Sequence, residues 1–166
     1  DSNDSLQALL ALLYLVVWVF SIVAFLVWLR RSSMNLPLIG NIAPQYTPGW
    51  VVGWWFVPIF FWFRPYQVMK EIWLGSNTDS DTRHGTGDVW PWLGWFWGAH
   101  VTANLLGWIV FRIGVDDRDS ILAGDYLIVG SNASQLVAGL ILLSFITIVT
   151  SRQQKWYESS LADAPE

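Results

Sequence analysis

Apolar residues along this chain gather in long unbroken runs, without the strict alternation of a half-buried strand. Leu6 to Leu29 holds 24 residues without a charge, which as a helix extends about 36 Å and exceeds the roughly 30 Å hydrocarbon core of a bilayer. Asp4 or Ser5 can cap its start, Arg30 and Arg31 mark its end, and Trp18 and Trp28 add aromatic surface. A polar connection over 32–47 follows, with Pro37, Gly40 and Pro44, and then Thr47-Pro48 supplies an N-cap and a proline for the first turn of a second helix. That second apolar run, Trp50 to Phe63, is 14 residues long and carries Pro58 inside it. Such a length fits a kinked or re-entrant segment as well as a full crossing.

After Arg64, the pairs Val68/Ile72 and Met69/Trp73 stand at i,i+4 spacing while Gln67, Lys70 and Glu71 lie away from them. The pattern predicts an amphipathic interfacial helix over about 65–75. Residues 75–88 read as a polar loop. Trp90 to Phe111 forms the third apolar run, and Tyr126 to Thr150 the fourth, with a short acidic turn at Asp116-Asp117-Arg118-Asp119 between them and a solvated polar tail over 152–166. The expected fold is all-α: one membrane domain, a polytopic transmembrane helical bundle of four spans (about 6–29, 48–63, 90–111 and 126–150).

Basic residues give a way to choose between topologies, because Lys and Arg concentrate on the cytoplasmic side. With four crossings, Arg64, Lys70, Arg83, Arg152 and Lys155 oppose Arg30, Arg31, Arg112 and Arg118. Five against four decides little. If the second segment re-enters, Arg30 and Arg31 join the larger group and the ratio becomes seven against two. Against that, a lipid-facing hairpin leaves backbone groups unpaired unless neighbours cover it, and on this ground four crossings are expected. Composition supports the membrane assignment: 54% of the 166 residues are hydrophobic and 13% charged, about half the charge of a soluble domain. A net charge of −4 with no basic run beyond Arg30-Arg31 argues against a nucleic-acid partner. The absence of cysteine excludes disulfides, thiolate metal sites and cysteine nucleophiles. The first apolar run is too long for a signal-peptide core and lacks a basic segment before it, so it is expected to be retained.

Several motifs are similar to those of a known family. Asn35-Leu36 with Gly40, Tyr46-Thr-Pro48-Gly49-Trp50, Gly53-Trp54-Trp55-Phe56, Pro58-Ile59, and Pro65-Tyr66-Gln67 with Met69, Lys70, Glu71 and Trp73 resemble the bacterial membrane-protein family described as domain of unknown function 4328. Leu93-Gly94-Trp95 and Arg152-Gln153 also fit, and the likeness runs from about Phe25 to Gln153. The resemblance implies a multi-pass protein of the bacterial inner membrane with four spans and no established activity. Phe60 and Phe61 stand where members of that family often carry a small residue and Asn.

Polar residues within the apolar runs are the first candidates for chemistry, since burying one without a partner is costly. His100 and Asn104 share a helix face at i,i+4 spacing, near Thr102. One reading makes His100 the anchor of a haem, a pigment or a quinone, or a proton relay; the simpler one has it hydrogen-bond Asn132, Ser134 or Gln135 of the fourth run, as interhelical glue. Small residues at four-residue spacing, namely Gly49/Gly53, Gly94/Gly98 and Gly130/Ser134/Ala138, favour close helix packing, within the chain or against a partner subunit. Asn77, Asp79, Asp81 and Asp88 echo a calcium loop, but Thr82 stands where the turn needs glycine. Asn132-Ala133-Ser134 matches a glycosylation sequon inside a span and is set aside. The only other histidine is His84 and paired carboxylates occur only in turns, so no catalytic constellation is expected. Thirteen tryptophans suit the two interfacial belts, and rigid aromatic surface also suits a ring-shaped ligand or another subunit. The expected function is that of a non-catalytic accessory or scaffold subunit of a larger membrane complex, the alternative a binding protein for a lipophilic cofactor near His100.

Overall fold

The computed structural model describes residues 2–40, 44–77, 88–113 and 118–162. All regular structure among them is helical: α1 (Ser2–Gly40), α2 (Pro48–Gly53), a 3-10 turn (Phe60–Trp62), α3 (Arg64–Gly75), α4 (Pro91–Ile113) and α5 (Arg118–Ala162). Two helices, α1 and α5, are long and apolar enough to cross a membrane. The loop with the calcium-like pattern, with His84, falls largely outside the described residues, as do Asp116 and Asp117 and residues 163–166.

Both long helices outrun their apolar stretches. α1 continues past Arg30-Arg31 to Gly40 and α5 continues past Thr150 to Ala162, where a polar connection over 32–47 and a solvated tail were expected. Charge ends an apolar run without ending a helix, since Arg, Lys and Gln are good helix formers, and burial of the extensions supplies the rest. Ser32, Ser33, Leu36, Ile39 and Gln153 are all buried where the two extensions meet α3. Trp28 lies beside Thr150 and Asn35 beside Gln153, so α1 and α5 run parallel. Contacts between Ala103 and Ser131 and between Trp90 and Phe145 make α4 antiparallel to α5.

The run from Pro48 to Phe63 is not one helix. α2 stops after six residues, about 9 Å of rise, and the chain reverses at Ile59. There φ is 72° and ψ −52°, and the Phe60 N–H donates to the Pro58 carbonyl at 2.9 Å, which makes a γ-turn, a strained conformation for a β-branched residue. Both ends of the segment lie together: the Arg64 Nη1 donates to the Tyr46 hydroxyl at 3.0 Å, and Glu71 accepts from the Gln45 backbone N–H. The segment is therefore a hairpin that returns to the place it left. The Trp97 indole of α4 donates to the hairpin's Trp62 carbonyl at 3.0 Å.

Beyond the hairpin, α3 lays Val68, Met69, Ile72 and Trp73 into the core with Leu29, Leu36, Leu93, Phe96, Phe145 and Val149, the face marked by the i,i+4 pairs. This core occupies the end of the molecule shared by the C-terminal halves of α1 and α5. Toward the other end, Leu6 to Phe20 of α1 present their large side chains outward.

Candidate functional site

Between α1, the hairpin, α4 and α5 lies a groove of about 780 Å³, walled by Tyr14, Trp18, Phe25, Trp55, Phe61 and Trp108 and bearing His100, Asn104, Ser131, Asn132 and Gln135. Helical spacing explains the cluster: His100 and Asn104 are one turn apart on α4, and Ser131, Asn132 and Gln135 occupy one face of α5. The α4–α5 register is fixed by the Ser131 hydroxyl, which donates to the Ala103 carbonyl at 3.1 Å, and by Gly130, whose Cα side faces the Leu106 methyl.

His100 does not reach across to α5. The Asn104 Nδ2 donates to the His100 carbonyl at 2.8 Å and sits 3.3 Å from the His100 Nε2. An amide nitrogen has only hydrogens to offer, so a bond at this contact would use the Nδ1–H tautomer of the ring, with Nε2 accepting. The imidazole is sandwiched by aromatic rings: Phe96 stacks at 6.0 Å, Trp97 lies at 5.5 Å, and Trp55 and Phe61 meet it edge-on at 6.3 Å. Asn132 and Gln135 are exposed into the groove and have no hydrogen-bond partner among the described residues. The arrangement offers amide donors and acceptors to a ligand, together with flat aromatic walls. For a haem or metal-centred pigment it fits less well, because His100 supplies one ligand and no group of three or more His, Cys, Asp or Glu residues gathers among the described residues.

Two polar nodes tie the elements around the groove, one at the hairpin and one at the end of α1 and α5. In the first, Arg64 donates from Nη1 to the Tyr46 hydroxyl and to Gln67 Oε1, both at 3.0 Å, and Tyr46 donates to Gln67 at 2.9 Å. The guanidinium is ringed by Tyr46, Trp54, Phe60 and Phe63 at 5.3–5.8 Å, and this latch closes the hairpin. Glu71 adds to it by accepting from the backbone of Gln45, while burial pushes its carboxyl above the ordinary glutamate range against the lowering effect of the Gln45 and Tyr46 N–H groups. In the second node, Gln153 of α5 accepts from Asn35 at 2.8 Å and donates to the Ser32 carbonyl at 3.1 Å and the Ser76 hydroxyl at 2.9 Å. Three helices are tied by one side chain. Beside it, the Arg152 guanidinium lies 4.0 Å from the Trp73 ring centre.

The residues singled out by motif divide between these nodes and the outer surface. Asn35, Trp54, Glu71 and Trp73 belong to the nodes; Pro48 opens α2, Pro58 lies in the γ-turn, and Pro65 stands buried in the first turn of α3. Trp50 stacks on Trp54 at 4.5 Å, Tyr66 faces Trp97 at 6.4 Å, and Met69 is fully buried. Of the small-residue pairs, Gly130, Ser134 and Ala138 lie on α5, where Gly130 meets α4 and Ala138 is buried. Gly53 meets only Trp50 of its own helix, and Gly49, Gly94 and Gly98 have nothing within 4 Å. Arg64, Ser32, Ser76 and Ser131 carry no motif that sequence reading picked out; a cation set between Phe63 and Pro65 in an aromatic segment was the available signal for the first.

No curated protein and no solved structure matches the chain. The family described as Domain of unknown function (DUF4328) matches residues 1–151, which takes in the hairpin, its latch and every polar residue of the groove, and the chain belongs to that family.

Proposed function

We propose that the protein is a non-catalytic, multi-pass protein of the bacterial inner membrane that binds a lipophilic molecule with a hydrogen-bonding head, of quinone-like chemistry, in the His100 groove. α1, α4 and α5 cross the bilayer, and residues 48–63 enter and leave on one side. That side then carries Arg30, Arg31, Arg64, Lys70, Arg83, Arg152 and Lys155 against Arg112 and Arg118 on the other, which makes it cytoplasmic. The Trp97 indole, by bonding the Trp62 carbonyl, satisfies one backbone group of the hairpin and supports this reading. Gln135 then stands about 22 Å along α5 from Thr150, inside a core of roughly 30 Å.

The observation that carries the reading is the pair of unpartnered amides, Asn132 and Gln135, beside the His100–Asn104 pair in one aromatic-walled groove. Polar groups at that depth are costly unless something bonds them. The test is to purify the protein in mild detergent, extract it with organic solvent and identify what is released, beside an Asn132→Leu/Gln135→Leu variant. One lipophilic species with carbonyl or hydroxyl groups, near one per protein and lost from the variant, supports the reading; bulk lipid alone in both preparations refutes it.

A second reading, the accessory or scaffold subunit, is favoured by the open Gly94/Gly98 face of α4 and the uncovered N-terminal half of α1. Stoichiometric membrane subunits travelling with the protein, and lost on Gly94→Leu, would support it.

A further inference from the structure

α1 and α5 leave between them a surface that α4 does not line. Adjoining the His100 groove at Tyr14, Phe25, Asn132 and Gln135 runs a second groove, of about 740 Å³, lined by α1 and α5 alone from Tyr14 to Trp28 and from Asn132 to Ile146. Apart from Ser21 and the two amides at its far end its lining is apolar or aromatic, with Ala24 and Gly139 giving it depth. The fourteen steps from Tyr14 to Trp28 make it about 21 Å long, enough for an acyl chain to cross its half of a roughly 30 Å core.

At Trp28 the groove meets a polar cleft. The Trp28 indole donates to the Thr150 hydroxyl at 3.0 Å, and the same ring walls a cavity of about 440 Å³ formed by the helix extensions. Arg31, Asn35, Thr150, Gln154 and Tyr157 line that cavity, and no carboxylate does. Arg31 is exposed and has no hydrogen-bond or ion-pair partner among the described residues; the nearby acid, Glu158, accepts from Gln154 at 3.0 Å. The arrangement runs from apolar trough through an indole to an uncompensated cation, which is the polarity profile of an anionic amphiphile. Lipid packed loosely around the bundle has no need of such a cation at the mouth of one trough.

We infer that the α1–α5 pair seats one anionic phospholipid, its phosphate on Arg31 and one acyl chain in the trough beyond Trp28. Arg31 and the cleft lie at the opposite end of α1 from Asn132, and the trough shares only Tyr14, Phe25, Asn132 and Gln135 with the His100 groove; Arg31→Gln therefore tests the headgroup seat apart from the ligand proposed there.

The test is native mass spectrometry of the delipidated full-length protein supplied with equal amounts of phosphatidylglycerol and phosphatidylcholine. The wild-type protein should retain one phosphatidylglycerol in preference to phosphatidylcholine. Arg31→Gln should reduce that preference by about fivefold, the worth of one surface cation toward an anionic lipid. Arg30→Gln, an exposed neighbour outside the cleft, should leave it unchanged, and Gly139→Trp, which fills the trough, should lower retention of both lipids. Equal retention of the two lipids by the wild-type protein, equal effects of the two arginine variants, or a co-purifying protein segment that excludes lipid would each overturn the inference.

Discussion

Replacing Gln153 by leucine removes a node without opening a cavity, because the two side chains are close in size. Gln153 is 8% exposed and makes three hydrogen bonds, to Asn35, the Ser32 carbonyl and the fully buried Ser76 hydroxyl. Each contributes about 0.5–1.5 kcal/mol net, and the Ser76 hydroxyl left without its partner pays its desolvation in full. The total is about 3 kcal/mol. For a chain of this length each kcal/mol lowers the melting temperature by about 2–4 °C, so Gln153→Leu should melt about 6–12 °C below wild type. Intrinsic tryptophan fluorescence during heating in detergent reads this directly, since Trp73 and Trp90 stack at 5.3 Å in the adjoining core. The matched control is Gln154→Leu, whose side chain is exposed and bonds only Glu158 and should cost under about 0.5 kcal/mol. Equal losses for the two variants would refute the claim that Gln153 ties α1, α3 and α5 together.

Three further predictions concern the hairpin and its latch. Tyr46→Phe deletes a hydroxyl that accepts from Arg64 and donates to Gln67; it should cost about 2 kcal/mol and raise protease cleavage or amide exchange within residues 48–63 more than elsewhere. Glu71 has a raised pKa, its main cause burial, so the stability it contributes is fully present below the ordinary glutamate value and is lost as pH rises through the folded one. Melting temperature should therefore fall on going from pH 4.5 toward neutrality, and Glu71→Gln, which keeps an acceptor for the Gln45 N–H, should flatten that profile and equal or exceed wild type at pH 7; a steeper profile in the variant would count against this. At Ile59, which is 74% exposed with φ 72°, glycine relieves strain of about 1–3 kcal/mol at some cost in chain entropy, so Ile59→Gly should not lower the melting temperature, whereas Ile59→Val should leave it unchanged.

How far the fold was legible varied with the kind of signal. The buried face of α3 follows from Val68/Ile72 and Met69/Trp73, because i,i+4 spacing is local geometry. The hairpin was only half legible: its 14-residue length and Pro58 admitted both a kink and a re-entry, and no residue type advertises a γ-turn at isoleucine. The helix extensions were missed because hydropathy tracks where lipid ends, not where hydrogen-bonded helix ends, and this placed Gln153 in a solvated tail. His100 was expected to bond α5; instead the register set by Ser131 and Gly130 leaves Asn104 of its own helix as partner, and register between helices is a tertiary property. The groove itself was foreshadowed only as a set of polar residues in two apolar runs, since its depth depends on how far α1 stands from α4.

Everything proposed for the groove depends on residues 48–63 returning to the side they left. The chain has no cysteine, so single cysteines placed at exposed Thr47, Lys70, Ser159 and Asp125 can be labelled in intact cells with a membrane-impermeant maleimide, before and after permeabilisation. Thr47→Cys, Lys70→Cys and Ser159→Cys should all be labelled only after the inner membrane is opened, and Asp125→Cys before it. Labelling of Thr47→Cys and Lys70→Cys from opposite sides would mean that the segment crosses, and would contradict the re-entrant hairpin and the groove built on it.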